Sequence, residues 1–341
     1  MFPLNAWYVI ATADEVADSP LARTLCDIPI VLYRDLQGQI VCLQDYCPHR
    51  GAPLSLGRVN VDNLMCGYHG LEVGPDGKPA FMPKQRVERF PCVDAYQTIE
   101  SGGYIFVWPG SDQPNLEQVP ELPWNQPDWE FGGGSFHIQA DFRLMIDNLM
   151  DLTHENYVHS SSIGQPEIDE QPVKTRRDGE WVVTERYMEA VEAPPFWKLA
   201  MRQHGLDTDQ LVDRWQVCRF KAPSTIMIDV GVAPTGQGGI NAPVEKKVHG
   251  IVTDFMTPET TSSHFYFWGM ARSWSIGDNE VTQAIQSGQQ KIFTEDLEVL
   301  ERQQKSLERF PERKLLMLDI DAGGVQARRQ LQAMVDAEHR G

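Results

Sequence analysis

The sequence has little positive charge for its size, and this deficit excludes one broad class of function. Lysine and arginine number 30, against 48 aspartate and glutamate residues, so the formal net charge is −18. A nucleic-acid-binding protein needs a basic face, so we do not expect this class. An acidic surface favours solubility, and it also suits an encounter with a basic protein partner.

The chain also has no long apolar run and no recognisable targeting segment. No stretch approaches the roughly 18 apolar residues of a membrane span. Residues 1–8 contain neither the basic part nor the apolar part of a signal peptide. We therefore expect a cytoplasmic protein, in which disulfides are rare. The six cysteines are then expected to be metal ligands or buried apolar side chains.

The length of 341 residues predicts two domains. Short apolar segments separated by turn residues predict strands in the first part, including a hairpin of residues 29–33 and 39–43 and a strand at 104–108. Five prolines between Pro109 and Pro127 exclude a helix there, so the boundary is placed after residue 112.

The second part of the chain mixes the two kinds of periodicity. Helical patterns cover residues 143–158, 285–309 and 322–338, whereas residues 215–232 and 248–268 alternate as strands do. Because strands and helices do not alternate regularly, the sequence predicts an α+β fold.

Two short cysteine–histidine motifs give the most specific signal in the chain. Cys47-x-His49 is followed, after sixteen residues, by Cys66-x-x-His69. A Rieske [2Fe–2S] cluster needs two thiolates on one iron and two imidazoles on the other. Structural zinc sites usually pair cysteine with cysteine at wider spacing, so zinc is the less favoured alternative. Two buried cysteines with two structural histidines are the remaining one.

Residues 147–159 contain a second pair of histidines, His154 and His159. Positions five apart differ by about 140° on a regular helix, so both bind one metal only if the helix bulges or ends before His159. Asp151 shares a helix face with His154, and its carboxylate is placed to hold the outer ring nitrogen of a ligating histidine. A purely structural role for the two histidines is the alternative.

Asp296 is a candidate third ligand, because two histidines and one carboxylate form an Fe(II) site with open positions for oxygen. On the predicted helix 285–309, Asp296 lies about 40° from Ile292 on a helical wheel, inside the apolar stripe. The neighbouring glutamates fall outside that stripe. A carboxylate that points into a core is costly unless it is paired or binds a metal. The alternative is a position at the rim of the buried face.

Together these motifs resemble those of the α subunits of Rieske non-haem iron oxygenases. The resemblance extends over almost the whole chain, from residues 5–9 to residues 319–325. The nearest subgroup is the aromatic O-demethylases. Residues 154–165, 193–197 and 268–272 resemble the vanillate O-demethylase family in particular.

The resemblance implies an N-terminal all-β Rieske [2Fe–2S] domain, residues 1–112, followed by an α+β helix-grip catalytic domain with mononuclear iron, residues 113–341. The residues that match the family's iron ligands are His154, His159 and Asp296.

Two further roles follow from the same resemblance. Asp151 matches the carboxylate that joins the Rieske histidine of one subunit to the iron-ligand histidine of the next, and His69 would be its partner. Asn148 matches an asparagine near the iron. The implied assembly is a head-to-tail homotrimer, closed by a heterologous interface.

The implied activity is that of the terminal oxygenase in an NADH-dependent aromatic O-demethylase, which converts vanillate and O2 to protocatechuate and formaldehyde. Electrons from NADH would arrive through a flavin and iron–sulfur reductase. The alternatives are another methoxybenzoate or aromatic acid as substrate, and a ring-hydroxylating dioxygenase. A pure electron carrier is disfavoured by the residues beyond the Rieske motif and by the second metal-ligand set.

An anionic aromatic substrate requires a cation or hydrogen-bond donor in a protein of this charge. Candidates on strand-like segments are Arg219, Arg272, His137 and His264. In herbicide-demethylating relatives a histidine has this role, but Asp254 occupies the matching position here. An ionised aspartate cannot bind a carboxylate, so the substrate acid must be held elsewhere.

Overall fold

The computed structural model describes residues 1–160, 163–165 and 167–340, which form two compact units. The first consists of Met1–Pro120 together with Thr257–Thr261 and the residues from Ala337 onward. The second consists of Glu121–Met256 and Ser262–Asp336. A single boundary after residue 112 would assign the two later segments of the first unit to the second domain. The division of the sequence at residue 112 stays a prediction.

Two sheets make up the first unit. The described strands are β1 Tyr8–Thr12, β2 Leu21–Leu25, β3 Ile28–Arg34, β4 Ile40–Gln44, β5 Arg58–Asn60, β6 Asn63–Met65, β7 Glu72–Val73, β8 Pro79–Phe81, β9 Ala95–Ser101 and β10 Tyr104–Trp108. Their order is β1-β10-β9-β4-β3-β2 in the larger sheet and β5-β6-β7-β8 in the smaller. The described strand pairings in these two sheets are antiparallel, and the all-β character confirms the predicted N-terminal fold.

The hairpin of β3 and β4 lies where the sequence predicts it. Asp35 accepts hydrogen bonds from the backbone N–H groups of Gln37 and Gln39 at 2.9 and 2.8 Å. Gly38 has φ +78°, a conformation that glycine adopts without strain. Strand β10 is buried along its whole length, as its continuous apolar sequence predicts.

Distant segments of the chain join the first unit through hydrogen bonds. The N–H of Cys26 donates to the carbonyl oxygen of Pro258 at 2.8 Å. The Glu338 carboxylate accepts from the N–H groups of Leu4 and Asn5 at 2.9 and 2.7 Å. The sequence gives no local signal for these contacts, because the partners lie more than two hundred residues apart.

The second unit contains a seven-stranded sheet and the helices. Its strands are β11 Glu130–Ile138, β12 Lys174–Asp178, β13 Trp181–Val191, β14 Val212–Lys221, β15 Thr225–Pro234, β16 Val248–Thr260 and β17 Ser263–Arg272, in the order β11-β17-β16-β15-β14-β13-β12. The helices are α1 Phe142–Leu149, α2 Glu155–Val158, α3 Glu167–Glu170, α4 Pro195–Gln203, α5 Asn279–Arg309 and α6 Ala322–Glu338. The α+β fold class is confirmed.

Helix α5 packs against the sheet through Phe293. The ring centroid of Phe293 lies 5.3 Å from that of Tyr266 and 5.4 Å from that of Trp268, both on β17. The helix begins at Asn279, six residues before the predicted start. Asp278 caps it by accepting hydrogen bonds from the backbone of Glu280 and Val281. The polar residues of the first turns conceal this start from a search for apolar periodicity.

The two strand-like segments of the second part each contain a hairpin. Residues 215–232 span β14 and β15, and residues 248–268 span β16 and β17. Helix α6 occupies the residues predicted for it, 322–338. No helix in the described part of the chain has both the length and the apolar sequence to cross a membrane.

Candidate active site

The two cysteine–histidine motifs form loops with the same backbone hydrogen bonds. In the first, Cys47 N–H donates to Ala52 O and Gly51 N–H donates to Cys47 O, both at 2.8 Å. In the second, Cys66 N–H donates to Leu71 O at 2.8 Å and Gly70 N–H to Cys66 O at 3.1 Å. The two glycines have φ +71° and +74°. Glycine permits the left-handed turn that closes each loop.

The four side chains of these loops are arranged as a Rieske cluster requires. Cys47 and Cys66 are buried, whereas His49 and His69 are exposed. The two imidazole ring centroids lie 4.5 Å apart. Burial raises the pKa of the Cys47 thiol, and the neighbouring Cys66 adds to the shift. Two adjacent thiols beneath two imidazoles fit a [2Fe–2S] cluster with its histidine-bound iron toward solvent.

The predicted helix 143–158 is interrupted. Helix α1 ends at Leu149, Met150–His154 forms a turn, and only Glu155–Val158 returns to helical geometry. The prediction of one continuous helix is therefore wrong. The interruption removes the 140° separation of a regular helix, and it lets both histidines approach Asp296.

His154, His159 and Asp296 converge on one point. Each offers one ligand atom, and these atoms lie within 4.8 Å of one another. His154 Nε2 is 3.6 Å from Asp296 Oδ1, and His159 Nε2 is 3.2 Å from Asp296 Oδ2. Asp296 is 1% exposed, so its position on the buried face of α5 agrees with the helical wheel. Two imidazoles and a carboxylate at these separations fit a mononuclear iron.

Hydrogen bonds orient each of these three side chains. His159 Nδ1 lies 2.9 Å from Glu295 Oε2, and Asn148 Nδ2 donates to Asp296 Oδ1 at 3.0 Å. Burial alone would lower the pKa of His159, but Asp296 and Glu295 outweigh it and raise that pKa. A bound metal ion would take the place of the proton on Nε2.

Asp151 contacts His154 through its backbone. The carbonyl oxygen of Asp151 lies 2.5 Å from His154 Nδ1. Its carboxylate instead accepts from the N–H and the hydroxyl of Thr153, both at 2.7 Å. The expectation that the carboxylate holds this ring nitrogen within the chain is therefore not met, because the turn after α1 directs the carbonyl oxygen there.

A cavity of about 280 Å³ lies beside the three converging side chains. Its walls are mainly apolar and include Leu149, Leu152, Ile228, Val230, Met270 and Phe293. Leu149 and Leu152 belong to the end of α1 and the turn after it, Phe293 belongs to α5, and the others belong to the sheet. Pockets of this kind, apolar with a few polar groups, are typical of small-molecule sites.

None of the four predicted binders of the substrate acid is among the described residues that line this cavity. Arg272 donates to the carbonyl oxygens of Trp274, Ser275 and Asp278, so its role is structural. His264 is buried, and its Nδ1 lies 2.7 Å from Ala140 O. His137 is exposed. Arg219 lies on β14 but not among the described residues that line the cavity.

Asp254 is fully buried and also does not line the cavity in the described residues. Tyr266 donates its hydroxyl hydrogen bond to Asp254 Oδ1 at 2.7 Å. Burial raises the pKa of Asp254 to about 7. The hydrogen bond from Tyr266 lowers this pKa, whereas the charge of Asp296 raises it further.

Several polar residues of the site were not predicted from the sequence. Glu295 holds His159, although the helical wheel placed it outside the apolar stripe. Glu155, Arg214 and Gln216 line the cavity. The available signal was weak, because Arg214 lies just before residues 215–232, the segment that alternates as a strand does.

Two family models match this chain, and each covers one of the two candidate metal sites. Residues 6–96 match the family described as Rieske [2Fe-2S] domain, and residues 138–337 match Vanillate O-demethylase oxygenase C-terminal domain. The vanillate O-demethylase oxygenase subunit of Pseudomonas sp. (strain HR199 / DSM 7063) is 56% identical, with 99% of this chain and 96% of that protein covered.

A more distant relative is the oxygenase component of dicamba O-demethylase from Stenotrophomonas maltophilia, 32% identical with 99% of each chain covered. Among solved structures, dicamba monooxygenase bound to 3,6 dichlorosalicylic acid superposes with a TM-score of 0.89 at 30% identity and 99% coverage of each chain. A further structure of that enzyme contains non-heme iron and dicamba and has a TM-score of 0.84 at 28% identity.

These matches cover both metal sites. They identify the oxygenase component of a Rieske-type monooxygenase, with a [2Fe–2S] cluster and a mononuclear iron. The resembling residues Ser161 and Ser162 lie outside the described residues. The chain belongs to the vanillate O-demethylase oxygenase family.

Proposed function

We propose that this chain removes the methyl group of vanillate, with protocatechuate and formaldehyde as products. The observation that carries the proposal is the convergence of His154, His159 and Asp296 at one end of an apolar cavity with room for a single substituted benzene ring. The name of the relative at 56% identity supports vanillate as the ring.

The metal ligands are assigned residue by residue. Cys47 and Cys66 hold one iron of the [2Fe–2S] cluster, and His49 and His69 hold the other. The mononuclear iron is held by the two histidines and the aspartate that lie within 4.8 Å of one another. When bound, this iron supplies oxygen activation for hydroxylation of the methoxy carbon.

The chain's own residues fix the ligands and the surroundings of the reaction. Glu295 accepts from His159 Nδ1 and so directs Nε2 toward the metal. Asn148 donates to Asp296 Oδ1 and leaves Oδ2 for coordination. The apolar walls hold the ring and exclude water. A hydroxylated methoxy group is a hemiacetal, which breaks down to a phenol and formaldehyde.

The active assembly is proposed to be a head-to-tail homotrimer. His69 is exposed, and it would donate to the Asp151 carboxylate of a neighbouring copy. Asp151 lines a second cavity of about 770 Å³ on the far side of His154. Leu315, Leu316 and Met317 line the same cavity and are 65%, 80% and 63% exposed. An apolar surface of this kind favours a protein partner.

The electron donor is proposed to be a flavin and iron–sulfur reductase that oxidises NADH. Residues 1–112 are proposed to contain the Rieske domain and residues 113–341 the catalytic domain. The cytoplasm is the proposed location, because all six cysteines are unpaired, as expected in a reducing compartment.

The test is product analysis of the purified chain with vanillate, NADH and a reductase. We expect formaldehyde and protocatechuate to appear together in a one-to-one ratio, with oxygen consumed. A cis-diol product without formaldehyde would show a ring dioxygenase instead. Oxygen uptake with neither product would remove vanillate as the substrate.

A further inference from the structure

We propose that Arg214 binds the carboxylate of the aromatic acid, an inference that rests on the proposed function. Arg214 lies on β14 and is 4% exposed. It lines the same cavity as His154, His159 and Asp296. Arginine presents a planar set of donors that matches a carboxylate.

Glu155 and Glu167 attract this guanidinium from a distance, but neither is paired with it directly. In residues 1–160, 163–165 and 167–340, no carboxylate lies within ion-pair distance of Arg214. Its Nη1 donates to the neutral amide oxygen of Gln165. Burial lowers the pKa of Arg214 to about 10, so the side chain remains charged at neutral pH.

Glu155, a buried carboxylate that lines the cavity, is paired with another arginine. Arg186 Nη2 lies 3.2 Å from Glu155 Oε1, and Arg186 also donates to Leu152 O at 2.8 Å and to Gln216 Oε1. The ion pair of Glu155 is therefore with Arg186, and Glu155 acts on Arg214 only at longer range. Arg214 is a buried cation of the cavity that has no direct ion pair in the described residues.

An unpaired buried charge is costly, and an anionic ligand removes that cost. A guanidinium held away from water requires a counter-charge or a full set of acceptors. The carboxylate of a bound aromatic acid supplies both in one group, as two parallel hydrogen bonds. Arg214 thus favours acids over neutral methoxyarenes.

The position of Arg214 along the sheet suits a ring bound between cation and metal. Gln216 Nε2 donates to Glu155 Oε1 at 2.8 Å, and Glu155 directly follows His154. Arg214 and Gln216 both line the cavity, and alternate residues on a strand are about 7 Å apart. Arg214 is therefore two residues along the same strand from Gln216, the residue that contacts the neighbour of His154.

Two buried acceptors complete the recognition of a hydroxylated acid. Glu155 and Gln289 line the cavity, and Glu155 Oε2 and Gln289 Oε1 are buried with no hydrogen-bond partner in the described residues. A ring hydroxyl donates to one of these oxygens, whereas a ring without a hydroxyl leaves both unsatisfied.

The test compares the binding of vanillate and guaiacol, which has the same ring without the carboxylate, by calorimetry on the metal-loaded protein. We expect Arg214→Gln and the apolar Arg214→Met to weaken vanillate binding roughly tenfold to a hundredfold and to leave guaiacol binding nearly unchanged. Arg214→Lys keeps the charge and should recover part of the vanillate affinity.

The matched control is Arg219→Gln, because Arg219 lies on the same strand but not among the described residues that line the cavity. It should leave the preference for vanillate over guaiacol unchanged. Equal losses for both ligands in the Arg214 variants, or no loss for either, would overturn the proposal.

The outcome for the proposed function is read separately from the wild-type protein. If the wild type binds vanillate but releases no formaldehyde, the proposed function fails and the assignment of Arg214 stands. If the wild type demethylates vanillate and the Arg214 variants bind it with unchanged affinity, only the assignment of Arg214 fails.

Discussion

Asp151 has two chemical functions that one substitution separates. Its carbonyl oxygen contacts His154 Nδ1 at 2.5 Å, and its carboxylate is the proposed partner of His69 in a neighbouring copy. Replacing the carboxylate by an amide keeps the carbonyl oxygen. We therefore expect Asp151→Asn to retain both metal centres and to lose tenfold to a hundredfold of its turnover.

The measurements for Asp151→Asn are iron content, the electron paramagnetic resonance spectrum of the reduced cluster, and formaldehyde release. Glu308→Gln is the matched control, because Glu308 lines the same second cavity but is exposed and bonded to Gln304 on α5 at 2.8 Å. It should turn over at the wild-type rate. Normal turnover in Asp151→Asn would remove the proposed bridge.

His264 makes the second unit sensitive to acid. Burial lowers the pKa of His264 to about 4, against the backbone hydrogen bond to Ala140. The unfolded chain takes up a proton near pH 6.5 that the folded chain does not bind. Stability therefore falls as the pH drops from about 6.5 to 4, by up to about 3 kcal/mol from this residue.

The measurement is the melting temperature at pH 7.5 and pH 5. His264→Gln keeps a donor for Ala140 O but has no titratable ring, so the difference between the two pH values should shrink. His137→Gln changes an exposed histidine on β11 and should keep the wild-type difference. An unchanged difference in His264→Gln would contradict a neutral, buried His264.

Asp296 could be predicted from the sequence as a residue of the site, whereas Arg214 could not. Asp296 was predictable because a carboxylate inside the apolar stripe of a long helix is anomalous by itself. Arg214 lies in a strand that is buried on both faces, so alternation does not reveal which residues face the cavity. Its proposed role depends on its neighbours in space: Glu155 is paired with Arg186, and Arg214 has no direct ion pair in the described residues.

At the scale of the elements, the break between α1 and α2 positions the two histidines. Residues 143–158 have helical periodicity throughout, and the sequence alone shows only that a regular helix is incompatible with shared ligation. In the folded chain, Arg186 binds Leu152 O and Cys218 Sγ lies 3.2 Å from Leu149 O. These tertiary contacts satisfy carbonyl groups at the break, so they could not be inferred from local pattern.

Helices α5 and α6 contain glycines that differ in their surroundings. A Cβ added at Gly288 on α5 meets no heavy atom within 4 Å, whereas at Gly323 on α6 it would lie 2.6 Å from Met150 O. We expect Gly288→Ala to stabilise the protein by about 1 kcal/mol, because alanine is the better helix former. Gly323→Ala should destabilise it, because the backbone of Met150 cannot move aside without disturbing the turn before His154.

Thermal unfolding of both variants beside the wild type checks this contrast. A rise of a few degrees is expected for Gly288→Ala and a fall for Gly323→Ala. The iron content should be unchanged in Gly288→Ala and reduced in Gly323→Ala, since only the latter displaces a segment next to a ligand. Shifts of the same sign in both variants would contradict the packing at α6.

At the scale of the whole molecule, the sequence specified two metal sites but not how electrons pass between them. The cysteine–histidine motifs and the pair His154 and His159 are each local in sequence, and Asp296 stands out on a single helix. The proposed interface between copies has no comparable signature, since its candidate residues are exposed, such as Leu316, which is 80% exposed. Mass measurement should give about three times the 38.6 kDa of one chain.

Mixed trimers decide whether electrons pass between copies. His69→Asn removes a cluster ligand and keeps the iron site, whereas Asp296→Ala removes an iron ligand and keeps the cluster, so each variant alone should be inactive. In a head-to-tail ring containing both chains, one junction joins an intact cluster to an intact iron site. Random assembly makes about three quarters of the trimers mixed, with one working site in three, so coexpression should restore about a quarter of wild-type turnover.

Two different affinity tags allow the mixed trimers to be isolated, and each variant must first form trimers on its own. Transfer within a single chain predicts no activity in any mixture, because neither variant contains both intact centres. Inactive mixed trimers would therefore refute the role of the interface, even if Asp151→Asn were also inactive. Restored turnover that disappears when Asp151→Asn is added to the His69→Asn chain would place Asp151 at the working junction.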